Sequence, residues 1–155
     1  RWLSGDEDFE LGGVQFAVRF VGPAHSPEDL ALFIPQDNML FAGDLVFKGR
    51  VPYVGAADSK SWLASLGKLL AFNAKVMVPG HGGVSHNAKK DLTLTRDYLL
   101  YLRKTMGQAV AELTPFDEAY ANTSWKKFEK LPAFNEANRA NAYNTYILME
   151  KESLR

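Results

Sequence analysis

The sequence predicts an α/β (α+β) domain in which a mixed β-sheet is covered by helices. Three observations lead there: three runs of strand character in the first third, a short apolar run set off from them by one amphipathic helix, and a remainder dominated by helical periodicity.

The elements follow in order. Val14 to Val21 is rich in β-branched and aromatic residues and partly alternates, which suits a half-buried strand ending at Gly22-Pro23. Leu30 to Ile34 and Met39 to Ala42 are two further apolar runs, and Pro35-Gln36-Asp37-Asn38 between them has the residue types of a hairpin turn. Three strands thus precede Gly43-Asp44. Asp58 is placed to cap a helix running to about Phe72, with Trp62, Leu63, Leu66, Leu69 and Leu70 on its buried face. Val76 to Val78 then reads as a buried strand that completes a strand-helix-strand unit, and Pro79 to Gly83 as a loop. Leu92, Leu99, Met106 and Leu113 recur every seven residues and predict one long helix, packed on the sheet and stopped by Thr114-Pro115. Shorter helices are expected over Pro115 to Ala121, Trp125 to Lys130 and Glu136 to about Glu150. No internal repeat or low-complexity linker marks a second domain, so residues 1–155 read as one.

Composition narrows the chemistry. With 155 residues, 46% of them hydrophobic, the chain can bury an ordinary core. Eighteen basic residues balance eighteen acidic ones, so nothing draws the chain as a whole toward nucleic acid or an anionic membrane, and no nucleic-acid partner is expected. There is no cysteine, which excludes disulfides and thiolate metal sites; a metal would have to be held by histidine and carboxylate. No apolar run approaches the ~20 residues that span a bilayer, and Arg1 to Asp6 has neither the charged nor the apolar region of a signal peptide.

Two of the three histidines, His25 and His81, sit in glycine- and proline-containing segments immediately after expected strands, and Asp44 follows a third strand. Strand ends are where such scaffolds present reactive groups. Imidazole and carboxylate at three of them make a plausible nitrogen and oxygen set for zinc or a similar divalent ion. Spacing alone leaves other fates open: a surface or capping histidine in each case, a turn or N-cap aspartate for Asp44.

The surrounding residues add a resemblance. Gly22-Pro23-Ala24-His25-Ser26-Pro27-Glu28-Asp29-Leu30, then Leu40-Phe41-Ala42-Gly43-Asp44-Leu45-Val46-Phe47, then Val78-Pro79-Gly80-His81-Gly82 resemble, in order, the last three metal-binding motifs of the metallo-β-lactamase superfamily. Within it, Gly49 to Gly55 and Ala57 to Leu63 look closest to zinc hydrolases associated with sulfur-oxidation and quinoprotein systems. The resemblance implies the C-terminal half of an αββα sandwich, with the N-terminal half lying outside these residues. It implies that His25 completes the histidine set of a first metal, that Asp44 bridges two metals and is the catalytic carboxylate, and that His81 serves the second metal. Two zinc ions, or iron in their place, would act in the full-length protein, and a metal-bound hydroxide would attack a small ester, thioester or amide. The diagnostic His-x-His-x-Asp-His motif does not occur in this sequence. The chain alone is therefore expected to bind zinc weakly and to have little activity. The same resemblance suggests a periplasmic location and an exposed sheet face through which copies self-associate. A non-catalytic binding module, and a phosphodiesterase or nuclease branch of the superfamily, are the alternatives.

Smaller expectations attach to single residues. His86 reads as solvent-exposed or as an outer neighbour of the site, Lys48 and Arg50 as a solvated pair that could meet an anionic substrate, and Trp62 as core. Tyr53 is a candidate pocket residue, and Asn135 to Tyr146 is assigned to the last helix without chemistry.

Overall fold

A computed structural model describes residues 3–154; Arg1 and Trp2, the first two residues of the stretch Arg1 to Asp6 read as lacking signal-peptide regions, lie outside them. Five strands, β1 (Glu7–Leu11), β2 (Val14–Phe20), β3 (Leu30–Ile34), β4 (Met39–Phe47) and β5 (Val76–His81), form one sheet in the order of the chain. The first four are antiparallel neighbours, and β5 lies parallel to β4. The mixed sheet is the expected one, as is the single helix α1 (Ser59–Ala71) that carries the chain from β4 to β5.

Strand β1 was not anticipated. Three of its five residues are acidic, which lowers strand propensity, yet the strand sits at the sheet edge, where charge discourages pairing with a second chain. Gly12 and Gly13, both at positive φ, make the two-residue turn into β2, and Phe9 stacks on Phe16 across the pair at 5.2 Å. The expected turn between β3 and β4 is present. The Asn38 N–H donates to the Pro35 carbonyl at 3.1 Å, and the Asn38 side chain accepts from the Lys75 N–H, which pins the start of β5 beside β4.

The inner sheet face carries Ala31, Phe33, Leu40, Ala42 and Met77 beneath α1, where Phe33 meets Phe72 at 4.9 Å. Trp62, Leu66 and Leu69 are fully buried, each contributing roughly 1.5–3 kcal/mol of burial, whereas Leu63 and Leu70 are only partly covered. Asp58 caps α1 as expected, accepting from the N–H groups of Lys60 and Ser61.

The long helix α2 spans Ala88–Ala111. Leu92, Leu99 and Met106 are buried as the stripe requires, but Leu113 lies beyond the helix end, exposed and at positive φ. A seven-residue repeat drifts against a 3.6-residue turn, so the fourth member was not bound to stay on the stripe. The largest share of the packing of α2 is against α4 (Phe134–Ser153), with α1 and the sheet beside it, rather than on the sheet alone. Helix α3 (Phe116–Asn122) is the expected short helix. The helix expected over Trp125 to Lys130 is instead a single turn, in which the N–H groups of Phe128 and Glu129 both donate to the Trp125 carbonyl. Burial of Trp125 and Phe128 against Tyr101 holds this turn. Among the described residues no helix is long and apolar enough to cross a membrane.

Candidate metal centre

The three expected ligands lie at one end of the sheet, and each is positioned by a different local device. His25 stands on the loop after β2. The N–H groups of Val21 and Gly22 donate to the Asp29 carbonyl at 2.9 and 3.0 Å, and the Asp29 carboxylate accepts from both the N–H and the hydroxyl of Ser26 at 2.7 Å. A Cβ on residue 22 would stand 2.5 Å from the Asp29 nitrogen, so this closure needs glycine. The Gly22–Pro23 bond is cis, and Ala24 is buried. The Ser65 hydroxyl donates to the Val21 carbonyl and fastens the loop to α1.

Asp44 is inside β4 and not just past its end. The strand was expected to stop at Ala42; it runs on to Phe47 through an irregularity at Gly43, which takes positive φ. Such a bulge re-aims the following side chain. His81 likewise belongs to β5 and not to a loop, paired with Phe47 in the parallel register. The Lys48 N–H donates to the His81 carbonyl at 2.9 Å.

Asp44 and His81 meet. His81 Nε2 lies 3.4 Å from Asp44 Oδ1, with both side chains a little under half exposed. That separation is long for a firm hydrogen bond. It matches the ~3.4 Å edge of a tetrahedron whose metal–ligand bonds are ~2.1 Å. Gly80 makes the approach feasible, because a Cβ there would overlap the Asp44 carboxylate and stand 2.7 Å from the Asp44 nitrogen. His25 joins through rings instead: it lies 5.7 Å from Phe47 and 5.3 Å from Trp62, while His81 stacks on Phe47 at 4.5 Å and 12°. Among the described residues no group of three or more His, Asp or Glu is close enough to hold a metal ion. The donors therefore suit zinc in kind and, for Asp44 and His81, in spacing, but fall short in number.

The flanking expectations resolve variously. His86 is exposed, and Tyr53 is 61% exposed beside Gly55. Lys48 and Arg50 are not a solvated pair, because the Lys48 ammonium donates to the Val84 carbonyl at 2.6 Å and Arg50 is half-buried, its Nε without a partner. Trp62 is core as expected, and its indole N–H also donates to the carbonyl of Leu45, next to Asp44, at 3.1 Å. Two buried asparagines went unread in the sequence. Asn141 accepts from the Val54 N–H and donates to the Pro52 carbonyl and the Tyr98 hydroxyl, while Asn138 accepts from that hydroxyl and donates to Tyr120. Burial pushes the Tyr98 phenol pKa up, so the network stays neutral.

Comparison with known proteins adds a lineage. A family model described as the Metallo-beta-lactamase superfamily matches residues 2–81. The chain is 35% identical over 104 residues to the linear primary-alkylsulfatase of Pseudomonas sp. (strain ATCC 19151), a match covering 61% of this chain and 20% of that protein. It is 30% identical over 78 residues to metallo-beta-lactamase IND-1 of Chryseobacterium indologenes, covering 47% and 33%. The chain thus spans about a fifth to a third of the length of these relatives. Among solved structures, the metallo-beta-lactamase of Pontibacter korlensis superposes with a TM-score of 0.57 at 32% identity, over 63% of this chain and 47% of that one. The stereoselective inverting sec-alkylsulfatase of Pseudomonas sp. superposes with a TM-score of 0.75 at 17% identity, over 94% and 25%. At 94% coverage the second superposition has to run into the C-terminal helices, a likeness of fold alone.

Proposed function

Because this chain belongs to the metallo-β-lactamase superfamily, whose model spans residues 2–81, we propose that it carries part of the metal centre of a metal-dependent hydrolase. The observation that carries this reading is the approach of Asp44 to His81 at a spacing suited to a shared ion, at the sheet end where the His25 loop also lies. Zinc, when bound, would supply an activated water near neutral pH and polarise the substrate carbonyl or ester. His25, Asp44 and His81 would be ligands, with iron an acceptable substitute for the same donors. Since these donors are too few, the set is completed by protein outside these residues, and the chain alone binds zinc weakly and turns over little substrate.

The substrate class is a small ester, thioester or amide. The alkylsulfatase relative at 35% identity favours a sulfate ester within that class. A phosphodiesterase or nuclease reading is disfavoured by the balanced charge of the chain. A non-catalytic module is disfavoured by Gly22 and Gly80, whose missing side chains are what let the His25 loop close and Asp44 approach His81.

Calorimetric titration of zinc into the chain, with a His25→Ala, Asp44→Ala, His81→Ala triple variant as control, tests the reading. Weak binding that the triple variant abolishes is the expected result. Binding at micromolar affinity or tighter by a single copy would show that the ligand set needs nothing further. Weak binding unaltered in the triple variant would remove these residues from the metal site.

A further inference from the structure

Ligand imidazoles are ordinarily oriented by a hydrogen bond from their second ring nitrogen to a carboxylate or carbonyl. Among the described residues no side-chain hydrogen bond is made by the His25 ring, and the His81 ring is paired with Asp44 itself. Both rings instead rest on aromatic side chains. Phe47, 3% exposed, is stacked under His81 at 4.5 Å and touches His25 at 5.7 Å, so one ring spans both histidines. Trp62, fully buried, closes the set edge-on to His25 at 5.3 Å, with its own ring 6.5 Å from Phe47.

We propose that Phe47 and Trp62 are positioning residues: an aromatic bracket that sets the separation and tilt of His25 and His81 by packing where hydrogen bonds do not. The inference rests on reading those histidines as metal ligands. Its geometry, however, can be tested without metal. The bracket is well anchored for the task. Phe47 is the register partner of His81 across β4 and β5, and the indole N–H of Trp62 is tied to the Leu45 carbonyl on the same strand. A close-packed aromatic contact restrains a ring to a narrow range of tilts, since core side chains interdigitate with few voids. The arrangement is also directional, because Phe47 touches both histidines and Trp62 touches His25 alone.

The test is histidine side-chain NMR on the metal-free 155-residue chain labelled with ¹³C-histidine, with exposed His86 as internal reference. Phe47→Leu is expected to displace the His25 and His81 ring resonances together, beyond the change that loss of the Phe47 ring current alone produces, and to leave His86 in place. Trp62→Phe is expected to move His25 and spare His81, and the control Leu63→Ala, on the partly covered side of α1, to move none of the three. If Phe47→Leu left either ring unmoved, or if Leu63→Ala moved both, the bracket would be overturned. Should Phe47→Leu fail to fold, nuclear Overhauser contacts from the Phe47 ring to both imidazoles in the wild-type chain decide, and their absence would also overturn it. Cobalt(II) titration of the same samples separates the bracket from the functional reading. Selective broadening of His25 and His81 in the wild type, with affinity about 10–100-fold weaker in Phe47→Leu, is expected. Broadening of His86 alone would sink the metal assignment, and the bracket would then stand or fall on the ring displacements.

Discussion

At Gly80 the backbone of β5 passes so close to Asp44 that any side chain would overlap the carboxylate. Gly80→Ala is therefore expected to push Asp44 away from His81 and to destabilise the fold by roughly 1–3 kcal/mol, the usual cost of overpacking, read as a lowered urea midpoint. Gly83→Ala, where an added Cβ meets nothing within 4 Å, is the matched control and should be close to neutral. The Asp58 carboxyl shows how one residue links charge to folding. Burial works to raise its pKa, but the N–H and hydroxyl of Ser61, the N–H of Lys60 and the charge of Arg103 together hold it below the usual carboxylate range. Asp58→Ala should cost about 0.5–2 kcal/mol through loss of the cap on α1, measured by chemical denaturation at neutral pH.

Between elements, the segment after β4 is held by α4 and the turn just before it. Val51 donates its N–H to the Pro132 carbonyl, while Asn141 takes the Val54 N–H and gives to the Pro52 carbonyl. Removing the Asn141 side chain leaves buried groups of Val54, Pro52 and Tyr98 short of partners. Asn141→Ala should thus lose on the order of 3 kcal/mol, against less than about 1 kcal/mol for the exposed Asn135→Ala. Hydrogen exchange is the sharper probe, because the Val54 amide should lose protection first. This tether was invisible in the sequence, where an Asn/Tyr-rich helix shows no apolar stripe to declare which face is buried. By contrast, the strand-helix-strand unit from Met39 to Val78 was legible, because a capped helix with leucines at helical spacing sits between two short apolar runs.

At the scale of the whole molecule, the outer sheet face and a set of ion pairs lead to two expectations. The outer sheet face bears Leu32, Phe41 and Val78 in one register row and Ile34, Met39 and Val76 in another, all half-buried or exposed. Self-association through this face is expected as a rise in mass with concentration by light scattering, reduced by Phe41→Glu; a monomer throughout would count against it. The ion pairs are scattered over different elements. Hydrogen bonds from Arg103 hold the Glu152 carboxyl below its ordinary range, and one from Arg19 does the same for Asp8. For Asp97 burial opposes the shift, but Lys127 and Arg96 outweigh it. In each, as in Asp58, the folded pKa lies below the unfolded one, so the stabilisation is present above the unfolded carboxylate pKa of about 4 and is lost as pH falls through the folded values. The melting temperature should accordingly drop below about pH 4, and the drop should be smaller in Asp58→Ala.

The sequence by itself determined the mixed sheet, the crossing helix and the identity of three candidate ligands, because strand alternation, capping and short motifs are local and survive without neighbours. Only the tertiary structure decided that Asp44 and His81 lie within strands, that they come to 3.4 Å, and that His25 reaches them through Phe47 and Trp62. Those facts depend on the bulge at Gly43 and the parallel register of β4 with β5, and so on contacts between residues more than thirty positions apart, which no local pattern encodes.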